Sequence, residues 1–249
     1  MVDLNSVKAL ALESTDISLE QLKKLEGYRE VKDAQTTYLG QCKHGKREGL
    51  GVMVYQNGRQ YEGFWHEDKR HGSAFERYPN GSCYRGSFVD GKAEGSGVYT
   101  WANGEVYDGH WKEGLKHGSG LWKGLHNESY VGEWCRSKAH GQGVHTYRSG
   151  DRYEGEWKLG LKHGKGTETY SNGDVYSGQF VDGFYHGEGQ FTWAETGASY
   201  LGQFSNGVRQ GKGVWRSDAG PKAQVYEGDY VKNKKHGQGK FAWKSGNVY

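Results

Sequence analysis

Histidine is the residue type in this chain that most invites a chemical reading. His71, His117, His140, His163, His186 and His236 each stand directly before a glycine, at the same place of a recurring segment. Side chains lined up in that way could ligate a metal ion or titrate together near neutral pH. The stretch GLKHGKGT, residues 160–167, adds a second suggestion, because glycine, lysine and threonine stand there much as in a phosphate-binding loop.

The spacing argues against both chemistries. A phosphate-binding P-loop reads G-x-x-x-x-G-K-[ST], whereas here Gly160 is followed five residues later by Lys165. The histidine place is taken elsewhere by Glu48, Glu94 and Gln210, which suits a side chain that hydrogen-bonds a turn better than it suits a ligand. HGKG and HGQG would need a G-x-S-x-G nucleophile elbow to serve as oxyanion loops, and the chain offers none. The expectation is a protein that is not an enzyme and takes no cofactor or metal.

What must position these residues is a repeat. Tyrosine followed two residues later by glycine recurs every 23 residues from Tyr38 to Tyr176, then at Tyr200 and Tyr226 after small insertions, and Tyr249 continues the tyrosine series. The sixth repeat shows the pattern whole: YEGEWKLGLKHGKGTETYSNGDV. Its places are numbered from the tyrosine, so that Tyr153 holds place one and Val175 place twenty-three. YEGEW alternates as a strand does, a glycine-centred loop follows, and a second strand runs from the His-Gly step to an aromatic at place eighteen. Steps such as Asn57-Gly58 and Asn172-Gly173 then turn the chain into the next repeat. With Trp157 set opposite Gly164, and Gly155 opposite Gly166, large rings would cover cross-strand glycines.

Composition agrees. Of 249 residues, 42 are glycine, with 18 tyrosines, 9 tryptophans and 8 phenylalanines. Glycine therefore stands at more than twice its usual share of about 7%. A net charge of only +3 and periodic aromatics exclude disorder and disfavour nucleic acid as a partner. Cys42, Cys83 and Cys135 share no clustered spacing and read as reduced thiols. With no apolar run of membrane-spanning length and no signal peptide, the expected location is the cytoplasm.

The consensus Y-x-G-x-[W/F]-x-x-G-x-x-H-G-x-G resembles the MORN (membrane occupation and recognition nexus) repeat over residues 38–249: nine units and the start of a tenth. The fold that follows is all-β, an elongated single-layer antiparallel β-hairpin solenoid. Departures are Cys42 in place of an aromatic, Ala74 in place of a glycine, KGLHNES in place of the fourth turn, and the insertion RSDAGPKAQV, expected to bulge or bend the array locally. The segment FTWAETGASYLGQF is similar to radial-spoke-head members of the family. Residues 1–37 lie outside the repeat; Ser18 and Gln21 could form a capping box for a short helix with Leu19, Leu22 and Leu25 on one side, either a cap for the first hairpin or a docking element.

Two surfaces are candidates for function. Trp111, Trp134, Trp157 and Phe180 could line a groove for a protein partner or a second copy of the chain, unless packing consumes them. Lys46, Arg47, Lys69, Arg70, Lys116, Lys162, Lys234 and Lys235 fall just before the His-Gly step and are expected along one edge, where anionic lipid could meet them, although acids in the same loops dilute the field. The resemblance implies a scaffold in a cytoskeletal assembly, with a ciliary or flagellar axoneme foremost. Its alternatives are a peripheral tether for anionic phospholipid and the regulatory fragment of a larger enzyme such as a lipid kinase.

Overall fold

A computed structural model describes residues 18–243 and 247–249; residues 1–17 of the expected N-terminal segment lie outside it. Among the described residues the chain is all-β: nineteen strands and one helical turn. It divides into two compact units, Met1–Gly124 and Leu125–Tyr249, and the divide falls in the KGLHNES stretch.

In the N-terminal unit the strands are β1 (Tyr28–Lys32), β2 (Thr36–Lys43), β3 (Lys46–Tyr55), β4 (Gln60–His66), β5 (Lys69–Arg77), β6 (Cys83–Val89), β7 (Lys92–Thr100), β8 (Val106–Lys112) and β9 (Leu115–Lys123). Each pairs antiparallel with the next. The C-terminal unit repeats the arrangement with β10 (Ser129–Cys135), β11 (Lys138–Thr146), β12 (Arg152–Lys158), β13 (Leu161–Thr169), β14 (Val175–Val181), β15 (Phe184–Thr192), β16 (Ser199–Ser205), β17 (Val208–Arg216), β18 (Val225–Val231) and β19 (Lys234–Ala242).

Two turns build every hairpin. Between β12 and β13, Leu159 and Gly160 have φ of 52° and 92°. Two left-handed residues in a two-residue loop make the type I′ turn that matches strand twist, and glycine takes the second place without a Cβ clash. Between β13 and β14 the Tyr170 N–H donates to Asp174 O at 2.8 Å, and Asn172 Oδ1 accepts the Asp174 N–H at 3.0 Å. That asparagine closure is why N-G recurs at the junctions. The RSDAGPKAQV insertion is accommodated as the loop between β17 and β18, closed by Ser217 N–H to Gln224 O at 2.9 Å, while Arg216 still pairs with Val225.

One expected register is corrected. Gly155 does face Gly166, but a bulge after Gly155 sets Glu156 opposite His163 and Trp157 opposite Lys162. Gly164 and Lys165 are the extra residues; Gly164 has φ of 57°, and Glu156 Oε1 accepts the Lys165 N–H at 2.8 Å. Trp157 lies instead across from Gly141 of the preceding repeat.

The segment ahead of the first repeat holds α1 (Leu19–Leu22) with its capping box: Ser18 N–H donates to Gln21 Oε1 at 2.7 Å and Gln21 N–H to Ser18 Oγ at 3.2 Å. Leu19 and Tyr28 pack against Leu39 and Val54, so the turn covers the first hairpin on the face opposite its tyrosine. β1, which pairs with β2, was not anticipated; YREVK alternates neither in residue type nor in burial, and the pairing alone marks it as a strand. At the other end Tyr249 exchanges two backbone hydrogen bonds with Phe241, both 2.9 Å, and so takes up strand pairing outside β19.

Candidate interaction face

The tyrosine at place one organises each hairpin. A Cβ built on Gly166 would stand 2.6 Å from Tyr153 Cε2, so the ring lies directly over the glycine pair Gly155–Gly166. The hydroxyl at its far end donates to the carbonyl three residues on, Glu156 O, at 2.9 Å. All nine tyrosines make this bond, at 2.8–3.2 Å. Burial pushes the hydroxyls of Tyr130, Tyr176 and Tyr200 up to about 12, which keeps them donors at physiological pH.

Place five supplies the second ring. The indole N–H groups of Trp65, Trp111 and Trp157 donate to the carbonyls of Gly51, Gly97 and Gly143 in the preceding repeat, at 3.2, 2.9 and 3.1 Å. Each ring meets tyrosines edge-on from two repeats; Trp157 stands 5.0 Å from Tyr153 and 5.4 Å from Tyr130. Of the four rings assigned to a groove, Trp134, Trp157 and Phe180 are buried at 8%, 7% and 1% exposure. Trp111 alone is half-buried.

The eight basic residues do not share one edge, contrary to expectation. Place ten pairs across the strand with place five, as Lys162 does with Trp157, so its side chain falls on the ring face. Arg47 lies 4.4 Å from the Trp65 centroid, Arg70 5.0 Å from Phe88, Lys116 5.3 Å from Tyr107, Lys162 5.2 Å from Tyr153 and Lys235 4.6 Å from Tyr226. Burial lowers the Lys116 and Lys235 ammonium groups from the ordinary lysine value. Lys46, Lys69 and Lys234 at place nine remain at the turn edge, where Lys46 pairs with Glu67 at 3.6 Å and Lys69 with Asp90 at 3.2 Å. Two buried carboxylates complete the ring face: Glu76 with Arg59 and Arg70, and Glu168 with Lys162.

The histidine place lies on the opposite face, and in four repeats its side chain accepts an N–H of the next turn. His140 Nδ1 accepts the Leu159 N–H at 3.5 Å, Glu48 the Glu67 N–H at 2.9 Å, Glu94 the Glu113 N–H at 2.8 Å and Gln210 the Lys232 N–H at 3.2 Å. Histidine, glutamate and glutamine all take this bond, which accounts for their interchange in sequence, while Nδ1 of His71, His163 and His186 is buried without a hydrogen-bond partner. Among the described residues no three His, Cys, Asp or Glu side chains are grouped to hold a metal ion.

Sequence reasoning passed over the rings that remain accessible. Places sixteen and eighteen share the tyrosine face, since Tyr153 pairs with Glu168 at place sixteen. In the N-terminal unit Tyr78, Tyr99 and Trp101 form a half-buried run, with centroids 5.7 and 4.8 Å apart. In the C-terminal unit His145 with Tyr147, and Phe191 with Trp193, are tilted pairs at 4.0 and 4.7 Å. The signal was present: glycine at fourteen, variable at sixteen and aromatic at eighteen is a period of two.

The model of the MORN repeat matches nine segments: residues 38–58, 61–83, 84–106, 107–124, 130–152, 153–175, 176–196, 200–220 and 226–248. The chain belongs to the MORN repeat family. No curated protein matches this MORN chain. Among solved structures it is similar to the SAS-4 (dCPAP) TCP domain of Drosophila melanogaster, solved in complex with a proline-rich motif of Ana2 (dSTIL), at 11% identity and a TM-score of 0.38, covering 71% of this chain and 90% of that one. It is also similar to the TCP10 domain of Danio rerio CPAP, solved as a point mutant, at 12% identity and a TM-score of 0.33, covering 70% of this chain and 88% of that one. Likeness at this level carries no inference about partners. Among the described residues no helix is long and apolar enough to cross a membrane.

Proposed function

We propose that this MORN protein is a non-enzymatic scaffold that holds protein partners in a cytoskeletal assembly, with the axoneme of a cilium or flagellum as its setting. MORN repeats generally mediate protein–protein or membrane contacts, and proteins built from them are generally structural or adaptor proteins. The observation that carries the protein-binding choice is the half-buried ring row at places sixteen and eighteen. The place-five rings other than Trp111 are taken up by the sheet, whereas Tyr99 and Trp101 keep ring surface open toward solvent. Amphipathic aromatics of this kind anchor protein interfaces at low entropic cost. A second copy of the chain is among the partners such a row suits. The axonemal setting rests on the resemblance of FTWAETGASYLGQF to radial-spoke-head sequences.

The tether reading draws less support. Lys46, Arg47 and Lys69 already face acids of the following turn, and the place-ten cations are turned onto rings. Detergent fractionation of cells expressing a tagged copy tests the choice. A scaffold stays in the insoluble skeleton, and Trp101→Ser with Tyr147→Ser lowers the recovery of crosslinked neighbours without unfolding the chain. Release by detergent followed by flotation with phosphatidylserine liposomes, lost on charge reversal of Lys46, Arg47, Lys69 and Arg70, would overturn it.

A further inference from the structure

We propose that Ala93 opens a preformed slot for an arginine side chain of a protein partner, walled by Tyr84, Tyr99 and Trp111 and completed by the carbonyl of Gly114. This deepens the scaffold reading and rests on it for the nature of the partner.

The argument starts from what place ten does elsewhere. Arg47, Arg70 and Arg209 each reach over the place-five ring of the next repeat: Trp65 at 4.4 Å, Phe88 at 5.0 Å and Tyr230 at 5.4 Å. Each guanidinium then donates through Nη2 to the carbonyl at place eight of that next repeat: Asp68 O at 2.9 Å, Gly91 O at 2.6 Å and Asn233 O at 2.9 Å. The same ring and the same acceptor recur three times with one chemical occupant. A guanidinium suits both elements, because its flat face stacks on a ring while its edge keeps donors free.

The third repeat has the walls without the occupant. Place ten is Ala93, which stands opposite Phe88 and, like Tyr78, Tyr99 and Trp111, packs against the buried cluster that includes Tyr84 and Phe88. Tyr84 and Trp111 meet edge-on at 5.2 Å, and Tyr99 stands 6.3 Å from Trp111 and 5.7 Å from Tyr78. Tyr78 has Arg59 over its ring, at 5.7 Å. Among the described residues no cation lies over Tyr84, Tyr99 or Trp111, and the Gly114 carbonyl, the equivalent acceptor, receives no such donor. The backbone there is the same as its neighbours', since Gly114 N–H donates to Ala93 O at 2.9 Å as Gly91 N–H does to Arg70 O.

The fifth repeat is the internal control. It too has alanine at place ten, Ala139, and His145 stands there as Tyr99 does in the third repeat, 4.0 Å from Tyr147 and 6.0 Å from Trp157, but that indole is only 7% exposed. Trp111 stays half-buried, so its ring keeps surface open toward solvent. The protein itself carries a net charge of only +3, so an approaching basic side chain meets little general repulsion.

The test uses the full chain with acetyl-Gly-Gly-Arg-Gly-Gly-amide and its citrulline counterpart, which keeps shape and loses charge. Nuclear magnetic resonance follows the indole N–H signals. The slot requires that the arginine peptide shift the Trp111 signal, that citrulline bind about tenfold more weakly or worse, and that Ala93→Arg abolish the response. Ala93→Lys serves if the arginine variant folds poorly. Equal response to the two peptides, a shift centred on another tryptophan, no response, or unchanged binding in both variants overturns the slot. Recovery of crosslinked neighbours separates the two levels. Neighbours held equally by wild type and Ala93→Arg overturn the slot and leave the scaffold standing. Loss of skeleton association in the wild type overturns the scaffold reading, while the peptide result still decides whether the slot takes a guanidinium.

Discussion

Gly166→Ala probes whether the tyrosine is a lid on the glycine pair. The new methyl would meet Tyr153 Cε2 at 2.6 Å and Cζ at 2.7 Å. That ring is held by its hydroxyl on Glu156 O at 2.9 Å and by edge contacts to Trp157 at 5.0 Å and Phe180 at 4.9 Å. Overpacking of this kind costs about 1–3 kcal/mol. The second repeat shows the route of relief. It carries Ala74 at the equivalent place, and Gly63 opposite has swung to φ of 156°, while Tyr61 stays fully buried with its hydroxyl bond at 2.8 Å. The opposite glycine, and not the ring, gives way. Gly155 should do the same in the Gly166→Ala protein. A Cβ on Gly155 would meet Lys165 O at 2.6 Å and the Gly166 Cα at 2.5 Å, so adding Gly155→Ala removes that route. The double variant should then lose more than the sum of the singles, by about 1 kcal/mol or more. Repeat arrays unfold in parts, so the readout is native-state hydrogen exchange at the amides of β12 and β13. Additivity to within about 0.5 kcal/mol would refute the glycine-relief account, and a neutral Gly166→Ala would refute the lid itself.

The other predictions concern charge. Arg70→Met leaves the Glu76 carboxylate, at 1% side-chain exposure, with Arg59 as its remaining cation, and should destabilise by about 2 kcal/mol, part of which Glu76→Met restores in a denaturant titration. Burial holds the His145 imidazole below its ordinary 6.5 despite Glu128 at 3.3 Å. The fold therefore prefers neutral His145, and its contribution, present above pH 6.5, is lost as pH falls below that value; His145→Phe should flatten the acid side of a Tm–pH curve. His66 is shifted the other way by its hydrogen bond to Glu48 at 3.0 Å. That contribution is present below pH 6.5 and lost as pH rises through the folded value, and Glu48→Gln should bring the imidazole titration down toward ordinary.

Much of the fold was legible because the repeat shows which places are fixed. Tyr at one and Gly at three and fourteen gave strand pairing, and the Asn-Gly steps gave the junctions. The bulge after Gly155 was hidden, because two extra residues on one strand leave the period of 23 unchanged while shifting every pair toward the turn. That single miss misplaced the candidate surfaces. With Trp157 set opposite Gly164, the place-ten cations seemed free to line an edge; with Trp157 opposite Lys162, they lie on rings. β1 escaped notice for a different reason: YREVK carries no repeat residue and is held by pairing to β2.

Many consensus residues of this array are occupied by the fold: the tyrosine hydroxyl by a carbonyl, the indole N–H by the preceding repeat, and the histidine place, at Glu48, Glu94, His140 and Gln210, by the following turn. Recognition must then be written where repeats differ while sharing a face. Place sixteen does this most freely, running Met53, Glu76, Tyr99, Trp122, His145, Glu168, Phe191, Trp215 and Phe241 beneath an unchanging tyrosine. Place ten does it by omission. A cation that covers a ring in one repeat and is cut to alanine in another changes the surface without altering a backbone hydrogen bond, as Arg70 O and Ala93 O show by accepting the same turn N–H at 2.9 Å. Such an architecture can change partners by substitution on the ring face alone, because the glycines, turns and tyrosines that hold the strands do not depend on what stands between them.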